Sequence, residues 1–534
     1  MMTTGKHSHL FPENDSFSIS NKTSAATRPW FTLLLGLLLI AGQVNAQIQE
    51  VLPDTAGSQP YYHGVVVNKA TGKGMPYANI FVLRTGKGTI SNEKGAFSLN
   101  TEGLKDSDTI RFQYVGFRTL NLPLSEILDD SVVYLEEEII NLAETIIFGN
   151  MPDLKTIVKN VLVYKDSNYR NITSRQQVFV RDRDLVDVDR IDIKYLKSTI
   201  DEIDRNLIRE LEDKFPKNQT SYTDLLANVY RSKNKDDTIK LKIDPVRTVA
   251  LKEKEFEMFE QLNDIFRSLL ENTGTDEYWK VRSGIFGQKL DLDVDSIPEE
   301  PDTANDGRSR VDRYTGTVNY PNHIVSLDDK DMWEFLHKTA RYDYTLAGGA
   351  RINGEEVYII DFKPRSGGTY EGRMFIAMEN YALIRADFRY GAGKTGTDFH
   401  LLGLGYTENI FEGSVYFEKR YDTYLLKYLS IRQGAQASVD RNLILKKKQE
   451  RWLFDNTMKE LKLGFDLAVT IQESTEYLVL EQEPISEEEF SRFDPPEYMD
   501  IIYVDQFDDN LWRGYNIIEP TQRMKEYKKQ DLKY

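Results

Sequence analysis

Between residues 61 and 137, short apolar runs are split by turn residues at close spacing. "HGVVVN" gives way to "KATGKG", "YANIFVLR" to "TGKG", and "TISN" to "EKG" and "AFSLN"; "DTIRFQYVGFRTLNL" and "SVVYLEE" follow. Such spacing predicts a small antiparallel sandwich. Period-two alternation places Val65, Val67, Ala78, Ile80, Val82, Phe97, Leu99, Ile110, Phe112 and Val132 in its core. Gly72, Gly88 and Gly95 fall where tight turns need a positive φ.

From "MPDLKTIVKNVLVYKDSNY" onward the period becomes helical, with Leu154, Ile157, Val158, Val161 and Leu162 on one face. "RQQVFVRDRDL" is strand-like. Helical stripes return in "KYLKSTIDEIDRNLIRELEDKF", through Leu196, Ile200, Ile203, Leu207 and Leu211, and in "EKEFEMFEQLNDIFRSLLEN". An acidic break, "DLDVDSIPEEPDTANDGRSR", covers 291 to 310. After one more helix, "DKDMWEFLHK", the chain is dominated by strands: "YDYTLAGGARINGEEVYIIDFKP", "TYEGRMFIAMENYALIRADFRY", "TDFHLLGLGY", "GSVYFEKRY" and "YLLKYLSIRQ". The pattern predicts an α+β multidomain protein: a small antiparallel β-sandwich, then a mixed body with helices packed on a curved antiparallel sheet or half barrel. Expected divisions are 47–60 as a linker, 61–145 as the sandwich, 146–310 as a helix-rich segment, and 311–534 as the sheet body. In the acidic, aromatic C-terminal part, Tyr503, Trp512 and Tyr515 are expected to anchor the chain on the body, with a partner surface as the alternative.

Composition narrows the function classes. A formal charge of −17 over 534 residues opposes a nucleic-acid partner, since such binding rests on Lys and Arg neutralising phosphates. The run Lys446-Lys447-Lys448 is too short to reverse this. Cysteine is absent, which excludes disulfides, thiolate metal sites, a cysteine nucleophile and a lipidated cysteine. Arg28 and the uncharged run "WFTLLLGLLLIAG" precede "QVNA", so 1–46 reads as a signal peptide cut between Ala46 and Gln47. The run is shorter than the roughly 20 residues of a membrane span. Export to the periplasm or outer membrane is therefore expected.

Two stretches carry resemblances. "GVVVNKATGKGMPYANIFVLRTGKGTISNEKGAFSL…DTIRFQYVGFRTL" resembles the carboxypeptidase-regulatory-like domain, a transthyretin-like sandwich of exported gram-negative proteins. In that family the domain is an accessory module without catalytic residues. Many members have Asp where this chain has Asn92. "INGEEVYIIDFKP…YEGRMFIAMENYALIRADF" resembles, over 342 to about 432, the sheet of lipoprotein-sorting carriers and related envelope proteins. The resemblance implies a concave face able to hold acyl chains, or one buried beneath the predicted helices. The front also resembles a TonB-dependent transporter with its segment "LAETIIFG" (142–149), but the remaining 384 residues are too few for a plug and 22 long strands.

Candidate chemistry is sparse. A zinc carboxypeptidase needs H-x-x-E, and none of His7, His9, His63, His323, His337 or His400 has Glu three residues later. Asp291, Asp293 and Asp295 have the opening spacing of a calcium loop, but Ser296 stands where Gly is needed and Asp302 replaces the closing Glu. Glu334 and His337 have Glu-x-x-His spacing without a second copy, which fits an amphipathic helix. "SNEK" (91–94) is formally S-x-x-K but lies in a turn. "GAGKTG" (391–396) ends like a P-loop, yet Phe388 occupies the first glycine position and a strand follows, so it is expected to be a hairpin turn. No catalytic, cofactor-binding or metal-binding residue is assigned. The expected function is non-catalytic binding of a ligand or protein partner at or near the outer membrane. The alternatives are a periplasmic carrier of lipid or acylated cargo and an uncharacterised hydrolase. An outer-membrane protein or lipid is the expected partner, with no nucleic acid, nucleotide or cofactor, and the sequence leaves the oligomeric state open.

Overall fold

The structure, a computed structural model, describes residues 61–526 apart from 128–129, 139–152, 216, 234–238, 252–273, 275, 284–285, 291–307, 353 and 452–453. The expected signal peptide and linker, the 142–149 segment, the expected helix of 253–272 and the Asp291–Asp295 loop lie outside these residues. All described residues belong to one compact unit.

The front is a two-sheet sandwich. Its strands are β1 (Tyr61–Asn68), β2 (Asn79–Val82), β3 (Gly88–Ile90), β4 (Ala96–Asn100), β5 (Thr109–Gln113), β6 (Leu120–Pro123) and β7 (Ser131–Leu135). They form sheets of order β4-β1-β7 and β3-β2-β5-β6, antiparallel except for the parallel β1–β7 pair. Ala78, Ile80, Val82, Phe97, Leu99, Ile110 and Phe112 are buried between the sheets as the alternation requires. The phase is wrong at β1 and β7: Val66 and Val133 fill the core, while Val65 is half-buried and Val132 exposed. Each strand is a continuous valine run with no polar residue to mark its inner face. Gly72 and Gly95 take positive φ (69° and 86°). Gly88 does not. It lies across from β2, and a Cβ there would stand 2.1 Å from the Ile80 carbonyl oxygen, so it is needed for a close approach between strands.

The body is built on a fourteen-stranded sheet. In chain order come α1 (Leu154–Val163), α2 (Lys165–Asn168), β8 (Ser174–Ser198), α3 (Arg205–Lys214), β9 (Asn218–Lys233), β10 (Ile239–Leu251), β11 (Glu277–Ser283), β12 (Phe286–Leu290), β13 (Arg308–Arg310), α4 (Thr315–Ile324) and α5 (Glu334–His337). Then follow β14 (Tyr342–Ile352), β15 (Glu355–Pro364), β16 (Tyr370–Ala377), β17 (Leu383–Tyr390), β18 (Asp398–Leu401), β19 (Leu404–Arg420), β20 (Thr423–Gln449), β21 (Asn456–Pro484), α6 (Glu487–Arg492), β22 (Tyr498–Asp500), β23 (Ile502–Val504) and α7 (Gln522–Lys525). The sheet runs β14-β15-β16-β17-β19-β20-β21-β8-β9-β10-β23, with β11, β12 and β18 added at its margins.

The helix-rich reading of 146–310 is corrected by this order, because β8 to β10 lie in the middle and one flank of the sheet. The stripe from Leu196 to Leu211 is not one helix: β8 continues to Ser198, Leu196 is exposed, and α3 begins only at Arg205, capped by Asp204 accepting from the Leu207 amide at 2.8 Å. The competing signal was the alternation of "DLVDVDRIDIKY", which pairs with β21 over its whole length. By contrast α1 forms as its periodicity requires, capped by Asp153 and burying Ile157, Val158 and Val161.

One face of the sheet is closed by helices. Phe335 stacks on Phe362 of β15 at 4.2 Å, Trp333 lies 5.7 Å from Phe388 of β17, and α1 adds its buried face to the same core. Among the described residues no helix is long and apolar enough to cross a membrane.

The opposite face carries the sandwich and the C-terminal chain. Tyr77, at a φ of 64°, lays its ring 4.7 Å from Tyr428, and Ile90 packs into a cluster with Phe179, Leu226, Leu478, Trp512 and Ile518. Trp512, 1% exposed, meets Phe179 edge-on, so the aromatic tail anchors on the body. The tail is also laced to the sandwich: Tyr61 donates to the Trp512 carbonyl (2.6 Å), Thr89 to Ile517 (2.7 Å) and the Asn92 amide to Glu519 (3.1 Å). Asn92 accepts from the Lys94 and Ala96 amides through its oxygen, as Asp would, but only Asn has the second donor. Beneath the tail, Arg181 makes a bidentate pair with Asp224 (2.8 and 2.7 Å) and donates to Ile518 (3.0 Å), with both side chains at most 4% exposed.

Two outcomes follow. Asp224→Ala leaves a buried guanidinium uncompensated and should lower stability by about 3–5 kcal/mol in urea unfolding; a loss below about 1 kcal/mol would contradict this role. Asn92→Asp should cost about 1–3 kcal/mol at the tail contact and speed amide exchange over 512–524 while leaving exchange in β20 and β21 unchanged.

Candidate functional site

On the face that carries the sandwich, strand register lines side chains into rows across eight strands. The first is Ile359, Phe375, Arg385, Tyr416, Tyr428, Leu478, Phe179 and Leu226, each opposite the next from β15 to β9. This row is apolar but for Arg385, and it is what the sandwich and tail cover. Arg385 donates to the Tyr114 hydroxyl at 2.9 Å and lies 4.3 Å from that ring's centre, which ties the sandwich to β17.

Two residues along every strand comes a second row: Asp361, Arg373, Asp387, Ser414, Ser430, Glu476, Arg181 and Asp224. Every member is polar. Arg373 is bidentate on Asp361 (2.6 and 3.0 Å), Arg385 and Ser414 both donate to Asp387 (2.8 and 2.5 Å), and Tyr77 meets Ser430 at 3.3 Å. Glu476 accepts from Tyr428 at 3.3 Å; burial pushes its carboxyl pKa above the usual carboxylate range, partly opposed by Arg181.

The third row is Glu371, Arg389, Glu412, Arg432, Ser474, Arg183 and Tyr222. Arg389 binds Glu371 (3.0 and 2.9 Å) and Arg432 binds Glu412 (2.8 Å). The second and third rows floor a cleft of about 740 Å³, walled by Pro76, Tyr77, Glu93, Lys94 and Tyr114 of the sandwich and by Thr521 and Met524 of the tail. Seven basic and six acidic side chains line it, by count of Lys94, Arg181, Arg183, Lys363, Arg385, Arg389 and Arg432 against Glu93, Asp361, Glu371, Asp387, Glu412 and Glu476. Such a surface offers hydrogen bonds and compensated charge, and it is a poor host for an alkyl chain.

Apart from Glu93 and Lys94 of "SNEK", which line the sandwich wall of the cleft, the motifs singled out in the sequence lie elsewhere. Glu334 accepts from Arg341 (3.0 Å) and the His337 ring meets the Leu327 carbonyl (2.8 Å), so α5 holds both in structural contacts. Ser91 donates to Met75 (2.6 Å) and accepts from the Ala78 amide (2.8 Å), fixing the turn of "SNEK". "GAGKTG" joins β17 to β18 with Gly393 at a φ of 69°, but it is not a hairpin: β17 and β18 each pair with β19 and not with one another. Lys446 and Lys447 are paired with Glu460 and Glu277. Among the described residues no group of three His, Asp or Glu side chains could hold a metal. The cleft itself was missed. Its trace in the sequence is the strand alternation of Arg385-x-Asp387-x-Arg389, Glu371-x-Arg373 and Arg181-x-Arg183, which says that one face is charged but not which strands bring those charges together.

Comparison with known proteins adds the following. The chain is similar to the MucA/MucB complex of Pseudomonas aeruginosa at 8% identity and a TM-score of 0.18, covering 62% of this chain and 99% of that one. It is similar to a putative outer membrane lipoprotein-sorting protein domain from Vibrio parahaemolyticus at 6% identity and a TM-score of 0.17 (64% and 98% covered). A DUF1329 family protein from Desulfovibrio piger matches at 9% identity and a TM-score of 0.17 (64% and 97%). Likeness at this level assigns neither ligand nor reaction. No curated protein matches the chain. The firm match is to a family: residues 62–147, which contain the sandwich, fit the model of the CarboxypepD_reg-like domain.

Proposed function

We propose that this chain is a non-catalytic binding protein of the cell envelope, exported by its N-terminal segment, which receives a polar ligand or a protein segment in the cleft between the sandwich and the sheet. The observation that carries this reading is the pair of polar rows flooring a cleft of about 740 Å³. A regulatory-like sandwich laid across a sheet leaves a recess whose floor is prearranged by ion pairs, and prearranged donors and acceptors bind polar groups without a cost in reorganisation. Carriage of acyl chains is the weaker reading for the same region. The apolar face there is already filled by Trp333, Phe335 and α1, and the open face is charged.

The test is the cargo of the native protein. Chain purified from cell envelopes and analysed by mass spectrometry should carry no stoichiometric acyl lipid, and one lipid per chain would overturn the reading. Cell fractionation should find the chain without residues 1–46 outside the cytoplasm; a full-length cytoplasmic pool would contradict export.

Glu476 makes the cleft sensitive to pH. Its raised folded-state pKa means that the native state holds this proton more tightly than the unfolded chain does, so stability falls as pH rises from the ordinary carboxylate value through the folded value. Glu476→Gln keeps the acceptor for Tyr428 and removes the penalty. Its melting temperature should exceed that of the parent at pH 8, with the difference shrinking below about pH 4.5; an equal or lower melting temperature at pH 8 would count against a buried, strained carboxylate.

A further inference from the structure

The third row holds two kinds of arginine. Arg389 is held by Glu371 through its Nε and one terminal nitrogen, and Arg373 and Arg181 in the neighbouring row are each bidentate on an aspartate. The side chain of Arg183, half-buried, makes no hydrogen bond or ion pair among the described residues, although it lines the cleft. Arg432 uses its terminal nitrogen on Glu412, while its Nε is buried without an acceptor. Between them in direct register stands Ser474, whose hydroxyl likewise makes no hydrogen bond among the described residues. A buried N–H without an acceptor is costly, and a bound water or ion is one of the arrangements that satisfies it.

We propose that Arg183, Ser474 and Arg432 form an anion subsite that takes an oxyanion with at least two acceptor oxygens, such as the phosphate or carboxylate of a ligand bound in the cleft. The subsite rests on the reading of this cleft as a polar binding site. Adjacent strands are about 4.8 Å apart, so the β20 and β8 guanidiniums start roughly 10 Å apart and can close from both sides on one group above Ser474. Lys94 stands on the opposite wall and Thr521 at the tail end. The acids lining the cleft at this end are Glu412, already engaged by Arg432, together with Glu93 and Glu476; burial disfavours the charged form of Glu476, and Arg181 and Arg183 oppose that shift. Guanidinium groups match such oxyanions through paired N–H donors, which a lone ammonium cannot do.

The experiment uses the full exported chain in low-salt chloride buffer, titrated with inorganic phosphate, inorganic pyrophosphate and glucuronate by ligand-observed NMR and thermal shift, with phosphatidylglycerol vesicles in a parallel flotation assay. Saturable binding is expected for at least one soluble oxyanion, weakened about tenfold or more in Arg183→Gln and in Arg432→Gln. Arg351→Gln, which removes an exposed arginine paired with Glu356 outside the cleft, should change affinity by no more than about twofold. Equal weakening by all three variants would mean a general field and would overturn the subsite, as would binding unaffected by Arg183→Gln. Should a glutamine variant unfold, Arg183→Lys and Ser474→Ala give the same readout, each expected to weaken binding. Flotation with vesicles but no binding of soluble oxyanions would assign the site to a lipid headgroup. Absence of binding to every anion would remove the subsite while leaving polar cargo in the cleft intact, whereas stoichiometric acyl lipid in the native protein would remove the cleft reading itself.

Discussion

The register of the large sheet is the constraint on which everything else rests. Side chains alternate across a strand with period two, so a slip of one residue in any pairing moves that strand's whole set to the other face. Here seven pairings across the eight strands from β15 to β9 keep the same phase, and the result is one face that packs helices and another that sorts into an apolar row, a polar row and a charged row. The irregularities fall where they do little harm to this order. The register shifts of β16–β17, β19–β20 and β8–β21 flank the rows, at Phe375/Ile376, Glu408/Ile410, Tyr416/Phe417, Lys462/Leu463, Ala468/Val469 and Val479/Glu481.

The ion pairs gain their meaning from that order. Alone on a surface, pairs such as Arg373–Asp361 or Arg389–Glu371 would contribute about 0–1 kcal/mol each. Set side by side on one floor they fix each other's rotamers and reject wrong registers, since a shifted strand would bring like charges together. The buried Arg181–Asp224 pair is the inner end of the same series, and it is the member that also holds the tail through Ile518.

How legible this was depended on whether the information was local. The sandwich could be read from turn residues and short alternating runs, and the two places where its phase was misread, Val65 and Val132, are valine runs without a polar marker. The strands of 342–432 were equally readable, as was α1 with its capping Asp153. The long strand β8 was not, because "KYLKSTIDEIDRNLIRELEDKF" contains a true short helix, α3, and the helical stripe extends backwards by chance across the strand's end. The cleft could not be read at all. Arg183, Arg432 and Ser474 are 42 to 291 residues apart in sequence, and nothing near any of them announces the others; only β20, β21 and β8 lying side by side makes them neighbours.

The lacing of the tail also bears on the order in which the molecule can be made. Tyr61 in the first described strand bonds to the Trp512 backbone, 451 residues later, and Thr89 and Asn92 wait for Ile517 and Glu519 in the same way. A sandwich of local contacts can form as soon as it emerges from the ribosome, but its seat on the sheet stays open until residues 512–519 arrive. Docking of the sandwich therefore waits on the tail: a product truncated before Trp512 would hold a formed sandwich without its tail lacing, and the part of the apolar row that Trp512 and Ile518 cover would remain in water.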